Sequence, residues 1–147
     1  MRKLTRNTDP AQICRIPLEE AAELLPTPDG KHSATVFEHG SLQVKLYAPR
    51  GNDAQSPHVR DEIYVVVRGE GWFVNGGRRH RFGPHDVLFA QAGVVHRFED
   101  FSNDFVVWVF FYGPEGGEPD AESTALADAQ RRIPTCENKE ARTARVA

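Results

Sequence analysis

The sequence contains only two cysteines, and they form no recognisable motif. Cys14 and Cys136 lie near opposite ends of a chain of 147 residues. They make neither a CxxC pair nor a disulfide framework. We therefore expect two free thiols in a reducing compartment, and a cytoplasmic protein.

A long apolar run and an excess of basic charge are also missing. The longest apolar stretch, Phe105 to Tyr112, is far shorter than the roughly 20 residues of a membrane span. The basic N-terminus has no apolar segment behind it, so we expect neither a signal peptide nor a membrane partner. The formal net charge of −3 does not indicate a nucleic-acid-binding surface, and we expect no nucleic-acid partner.

What is present fits a single globular domain with short extensions at both ends. The composition, 39% hydrophobic and 27% charged, is that of a folded protein. LEEAAELL follows Pro17 and precedes Pro26, which predicts a short helix within an N-terminal extension of residues 1–30. From residue 114 to residue 147, glycine, proline and acidic residues predict a linker, a short helix at 125–132 and a loose tail.

The central residues, 31–113, alternate between turn sequences and short runs that favour strands. The turns include HG, RGEG, NGG and QAG, and β-branched and aromatic residues dominate between them. Strands are predicted at residues 33–37, 42–48, 62–68, 71–74, 80–82, 87–91, 94–99 and 105–112. Many short strands at close spacing predict an all-β sandwich or barrel.

The last predicted strand, residues 105–112, is apolar on both faces. A strand of this kind is covered on two sides, by its own core and by something else. We interpret the second cover as another subunit, and we expect a homodimer.

His58 and Glu62 are candidate metal ligands at the start of the third predicted strand. Four residues of straight strand rise about 13 Å, whereas metal–ligand bonds are only about 2.0–2.2 Å long. If both side chains bind one metal, the residues between them must turn a corner. His58 would then end one strand, and Glu62 would begin its neighbour.

His96 is the third candidate ligand, on a short alternating strand with Val94 and Phe98 on the same face. A histidine that points into an apolar barrel needs a partner, because an unpaired polar group there costs about 1–3 kcal/mol. A metal shared with His58 and Glu62 would satisfy it. Two histidines and one carboxylate suit a divalent transition metal with open coordination positions.

These residues resemble the two motifs of the cupin superfamily, G-x5-HxH-x3,4-E-x6-G and G-x5-PxG-x2-H-x3-N. The resemblance covers residues 42–112. Matches to the motifs are His58, Glu62, Gly69, Gly93 and His96; departures are Arg50, Ser56, His85, Gln91 and Asp100. Ser56 replaces the first histidine of the family's pair, so this chain offers two histidines and a glutamate where the family usually has three histidines and a glutamate.

The resemblance implies a cupin double-stranded β-helix (jelly-roll barrel), with a short N-terminal helix and a loose C-terminal tail outside it. It also implies one divalent transition metal (iron, manganese, zinc or nickel) on His58, Glu62 and His96. Strand parity places Tyr64 on the face of Glu62 and Phe98 on the face of His96. Both are predicted to line a small pocket, with plain core packing as the alternative.

The function we expect is that of a small metal-dependent enzyme, a dioxygenase or an isomerase, acting on a small polar organic molecule. No catalytic acid or base can be assigned from the sequence. A non-catalytic cupin that binds a metal or a small ligand is the alternative. A structural homodimer with a vestigial site is a third possibility.

Overall fold

The computed structural model describes residues 15–131. Cys14, Cys136 and the parts of the predicted extensions at residues 1–14 and 132–147 lie outside this range, so the predictions for them stay predictions. The elements in chain order are α1 (Leu18–Ala22), β1 (Ser33–His39), β2 (Leu42–Tyr47), β3 (Asp61–Arg68), β4 (Gly71–Asn75), β5 (Arg78–Phe82), β6 (Val87–Ala90), β7 (His96–Glu99), β8 (Val106–Tyr112) and α2 (Ala121–Arg131).

Each predicted strand is present, and the differences lie at the ends of the elements. The α-helical part of α1 ends at Ala22. The next residues form a tighter turn, because the N–H groups of Leu24 and Leu25 donate to carbonyls three residues back instead of four. α2 begins at Ala121, four residues earlier than predicted, because the Asp120 carboxylate accepts the Ser123 N–H and caps it. Within residues 15–131, neither helix is long and apolar enough to cross a membrane.

Two antiparallel sheets form the jelly roll. One has five strands in the order β1-β2-β8-β3-β6, and the other has three in the order β5-β4-β7. β3 lies between β8 and β6, so that Glu62 pairs with Phe111 on one side and with Ala90 on the other. The main core lies between the sheets and consists largely of aromatic and β-branched side chains, namely Tyr64, Val66, Phe73, Phe82, Ala90, Phe98, Phe105, Val107, Val109 and Phe111.

β2 alternates as predicted, but its apolar face points away from the space between the sheets. Val44 and Leu46 are buried in a second cluster together with Ala21 of α1. Lys45 and Tyr47, on the opposite face, line a cavity at one end of the barrel. The polar face of β2 is therefore the inner one, which alternation by itself does not reveal.

α1 and its flanking residues supply much of the second cover that β8 needs. Val106 is buried in the cluster that contains α1, and Trp108 and Phe110 pack against that cluster. The apolar surface that stays exposed lies farther along the sheet, on the edge strand β6, where Val87 is 67% and Phe89 is 47% exposed.

The turn after β3 depends on a glycine at residue 69 for two separate reasons. Gly69 has a φ of +86°, and a Cβ there would lie 2.6 Å from the Phe105 Cα. Gly77 has a similar φ of +82° but has open space around it. A comparison of Gly69 with Gly77 therefore separates the cost of a positive φ from the cost of a steric conflict.

We predict that Gly69→Ala lowers the free energy of unfolding by about 2 kcal/mol more than Gly77→Ala does, because only the first change forces a methyl group against a backbone atom. Gly77→Ala should cost about 1 kcal/mol for its positive φ. Urea denaturation of the two variants beside the parent measures both values. Equal losses would show that the contact with Phe105 is not limiting.

Candidate metal centre

Three different segments bring His58, Glu62 and His96 together. Glu62 is the second residue of β3, and His96 is the first residue of β7. The chain bends at Val59 and Arg60, within the corner that the spacing required. His58 itself lies in a segment that belongs to no strand, so the expectation that it ends a strand was wrong.

The ligand atoms of these three residues all lie within 4.8 Å of one another. His58 Nδ1 is 2.8 Å and His96 Nε2 is 3.1 Å from the same oxygen, Oε2 of Glu62. Glu62 and His96 are almost completely buried, whereas the His58 side chain is 31% exposed. The cluster therefore sits at the boundary between the core and an opening to solvent.

Two atoms of the cluster are buried without a hydrogen bond. The His96 Nδ1–H donates to the Val94 carbonyl at 2.8 Å, which leaves the lone pair of a neutral ring on Nε2. Nε2 is close to the Glu62 carboxylate but makes no hydrogen bond of acceptable geometry, and Oε1 of Glu62 also has no partner. Buried polar atoms are rarely left unpaired, and these two are compatible with a metal ion bound to the cluster.

A divalent metal fits this arrangement. Imidazole nitrogen and carboxylate oxygen bind such ions at about 2.0–2.2 Å, so neighbouring ligands of one ion lie about 3.0–3.5 Å apart. The two measured distances to Glu62 are close to that range. The Nδ1–H bond to Val94 is also the support that a metal-bound histidine usually has, because it fixes the tautomer and aims Nε2 at the ion.

The buried charges of the cluster influence each other strongly. Burial opposes ionisation of Glu62, but the adjacent His58 and His96 rings outweigh it and lower the pKa of this carboxyl group. Burial also opposes the charged form of His96, yet the carboxylate raises the pKa of that ring. Burial and then the Glu62 charge raise the pKa of Tyr64 well above its usual value, so this residue stays a phenol.

A cavity of about 570 Å³ opens beside the cluster. His58 and Glu62 form part of its wall, and Phe111 of β8 lies next to them. The remaining walls come from β2, from the start of β1 with the residues before it, and from the segment that precedes β3. The lining residues are Lys31, His32, Ser33, Lys45, Tyr47, Pro49, Arg50, Asn52, Ala54, Gln55, Ser56, His58, Glu62, Val109 and Phe111.

Asp53 holds the segment before β3 against the barrel. Its carboxylate accepts hydrogen bonds from the Tyr47 hydroxyl at 2.6 Å and from the Phe98 N–H at 2.8 Å. It also accepts from the Gln55 side chain at 2.7 Å, and the Gln55 carbonyl oxygen accepts from the Tyr64 hydroxyl at 3.0 Å. Side-chain hydrogen bonds thus hold this part of the segment, and His58 itself is held by its carbonyl oxygen, which accepts the Gly93 N–H at 2.8 Å.

Tyr64 and Phe98, the predicted pocket residues, lie behind the metal ligands and do not line the cavity. Their rings are 5.0 Å apart in the aromatic core, and the Tyr64 ring is 6.1 Å from that of His96. Contact of either residue with a ligand stays a prediction. Sequence reasoning missed four residues of the cavity and its support: Lys45, Tyr47, Asp53 and Gln55. Alternation places Lys45 and Tyr47 on one face of β2 but does not show that this face is the inner one.

Ser56 and the remaining histidines have different surroundings. Ser56, at the position of the additional histidine of the motif, is exposed and lines the cavity. His32 is half-buried at the cavity wall. His80 and His85 are exposed.

Comparison with known proteins finds a matching family profile and a related sequence. A family profile described as "Cupin domain" matches residues 44–112, which include all three candidate ligands. An uncharacterised protein of Streptomyces coelicolor is 36% identical over 77 residues, which is 51% of this chain and 73% of the relative.

Two solved structures are similar to this chain to different degrees. A cupin-2 domain-containing protein from Shewanella frigidimarina superposes with a TM-score of 0.53 at 16% identity, over 67% of this chain and 94% of its own. The DMSP lyase DddQ from Ruegeria pomeroyi aligns with 55% of this chain and 46% of its own, at 26% identity and a TM-score of 0.49. The first likeness shows a common fold, and the second transfers no activity to this chain.

Proposed function

Because the chain belongs to the cupin superfamily, we propose that it is a metal-dependent enzyme whose site lies at the open end of the barrel. His58, Glu62 and His96 hold one divalent transition metal, and the substrate is a small polar organic molecule. The reaction is of the dioxygenase or isomerase type.

One observation carries this proposal. The buried Nε2 of His96 and Oε1 of Glu62 have no hydrogen-bond partner, and both belong to a cluster that borders a cavity of about 570 Å³. Three protein ligands leave coordination positions free, whereas structural metal sites are usually closed by four. A cavity of this volume is within the usual range for small-molecule sites.

The ion would supply Lewis acidity or, if it is iron, oxygen activation. The protein's own residues orient the ligand side chains and shield them from water. The Val94 carbonyl fixes the His96 tautomer, Phe111 packs in a T-shaped contact with the His58 ring with ring centres 4.8 Å apart, and the aromatic core excludes water from behind. A substrate would therefore approach the candidate ligands from the cavity, whose wall includes His58 and Glu62.

A non-catalytic metal or small-ligand binding protein is the second candidate. The two tyrosines near the site favour this candidate, because both hydroxyls are used in structural hydrogen bonds. Tyr47 donates to Asp53, and Tyr64 donates to Gln55. Burial raises the pKa of each phenol, so neither is prepared to exchange a proton near neutral pH.

We predict about one divalent metal per chain in the purified protein, falling by at least about tenfold in Glu62→Gln and His96→Ala, because each change removes a buried ligand atom. Metal analysis by mass spectrometry measures it. His80→Ala, an exposed histidine on β5, is the matched control and should keep the full metal content. Full content in the two ligand variants would overturn the assignment.

Oxygen consumption separates the candidate functions once a metal is present. We expect the metal-loaded protein to consume oxygen with, or to isomerise, at least one member of a panel of small acids, thiols and diketones. Glu62→Gln should abolish that turnover. Calorimetry measures binding of the panel members, and product analysis measures turnover. Tight binding without turnover would instead support the non-catalytic binding protein.

We also propose a homodimer that pairs through the outer face of the five-stranded sheet near β6. Val87 and Phe89 support it as exposed apolar residues on an edge strand, an arrangement that free monomers usually avoid. Light scattering should give the mass of two chains at micromolar concentration, and Phe89→Glu should shift it towards one chain. A parent protein of single-chain mass would refute the dimer.

The proposed setting is the cytoplasm, with no nucleic-acid or membrane partner. The net charge of −3 and the small number of cysteines support it.

A further inference from the structure

Lys45 places an ammonium group in the same cavity as the metal ligands. It lies on the inner face of β2, half-buried, and lines the cavity together with Glu62 and His58. Its Nζ is 5.9 Å from the centre of the Phe111 ring, and the His58 ring lies 4.8 Å from that same ring. The ammonium and the metal ligands therefore flank one aromatic side chain on the cavity wall.

The other lysine and the arginine of the cavity wall each have partners within the protein. Lys31 makes a salt bridge of 2.6 Å with Asp29, and Arg50 donates to the carbonyls of Ala48, Pro49 and Phe105. The Lys45 ammonium forms no hydrogen bond and no ion pair with any side chain that the structure describes; its nearest aromatic neighbour is the Phe111 ring. Burial lowers the pKa of Lys45 although Glu62 opposes this, as expected for an ammonium without an adjacent anion.

The strand register places Lys45 at a useful distance from the metal ligands. Lys45 pairs with Val109 of β8, and Val109 pairs with Tyr64 of β3, so the three form one row across the sheet. Two strand spacings of about 4.8 Å separate the ends of this row. Glu62 is in the adjacent inward-facing row, two residues along β3. A small molecule can therefore contact Lys45 at one end and the metal ligands at the other.

The charge balance of the cavity favours an anion. With a divalent ion bound, the ion and Lys45 contribute more positive charge than Glu62 and Asp53 remove, even with both carboxylates ionised. An ammonium at a partly desolvated wall binds a carboxylate more strongly than one in bulk water does, because the local dielectric is lower.

Building on the proposed function, we infer that the ligand is a small organic acid and that Lys45 binds its carboxylate while the rest of the molecule faces His58, Glu62 and His96. Lys45 is thus a residue that determines substrate class. The proposal adds the charge of the ligand and the group that recognises it to a site otherwise defined only by its metal ligands.

The test uses calorimetry with succinate as the probe, on metal-loaded and on metal-free full-length protein, with metal content measured on the same samples. We expect Lys45→Met to weaken succinate binding by about tenfold or more, the usual effect of losing a charge-assisted hydrogen bond. Lys31→Met, which removes a lysine from the same cavity wall, should stay within about twofold. Both variants should keep the parent's metal content and melting temperature.

Neutral succinamide and inorganic phosphate complete the design. Succinate binding that exceeds succinamide binding only when Lys45 is present supports the inference. Equal binding of succinate and succinamide, an unchanged affinity in Lys45→Met, tighter Lys45-dependent binding of phosphate, or a lowered melting temperature of Lys45→Met would each overturn it.

The outcomes also separate this inference from the proposed function. A protein that binds no metal but still binds succinate through Lys45 refutes the metal-dependent enzyme and keeps the inference. A protein that holds its metal and binds succinate equally well in Lys45→Met refutes the inference about Lys45 and leaves the metal-dependent enzyme intact.

Discussion

The burial of the Glu62 carboxylate is the constraint on which the open end of the barrel depends. Glu62 is 1% exposed, on a strand paired on both sides, and it cannot turn outward without also turning Tyr64 and Val66 out of the core. A buried carboxylate is tolerated only with compensating charge and hydrogen bonds. Two histidines provide part of this compensation, and the bend at Val59 and Arg60 brings the first of them to 2.8 Å from the carboxylate.

The interior of the barrel is divided into two parts with different tasks. Toward one end, Phe82, Phe98 and Phe105 pack with ring centres 4.7–5.4 Å apart and fill the space between the sheets. Toward the other end, Tyr47 and Asp53 tie the segment before β3 to the wall and leave a cavity. The apolar part gives the stability that lets the polar part keep an unpaired ammonium and a partly compensated carboxylate, both of which cost stability.

Local signals were sufficient for the strands and for the grouping of the three candidate metal ligands. Turn sequences and β-branched runs located each strand to within a few residues, and the spacing of His58 and Glu62 required the bend that the structure contains. β2 shows the limit of such signals. Its alternation was read correctly, but its apolar side packs against α1 and its polar side lines the cavity, because a second cluster outside the barrel competes for the apolar residues.

The sequence by itself determined which residues form strands, which three side chains are suited to a transition metal, and that Gly69 ends the third strand, since these follow from periodicity, ligand chemistry and backbone freedom within short segments. Only the tertiary structure decided that Lys45 belongs to the cavity, that Asp53 anchors the segment carrying His58, and that α1 covers β8. The physical reason is distance along the chain. Asp53 meets Phe98 across 45 residues, and pairings of this kind are set by the register of whole sheets and not by any local pattern.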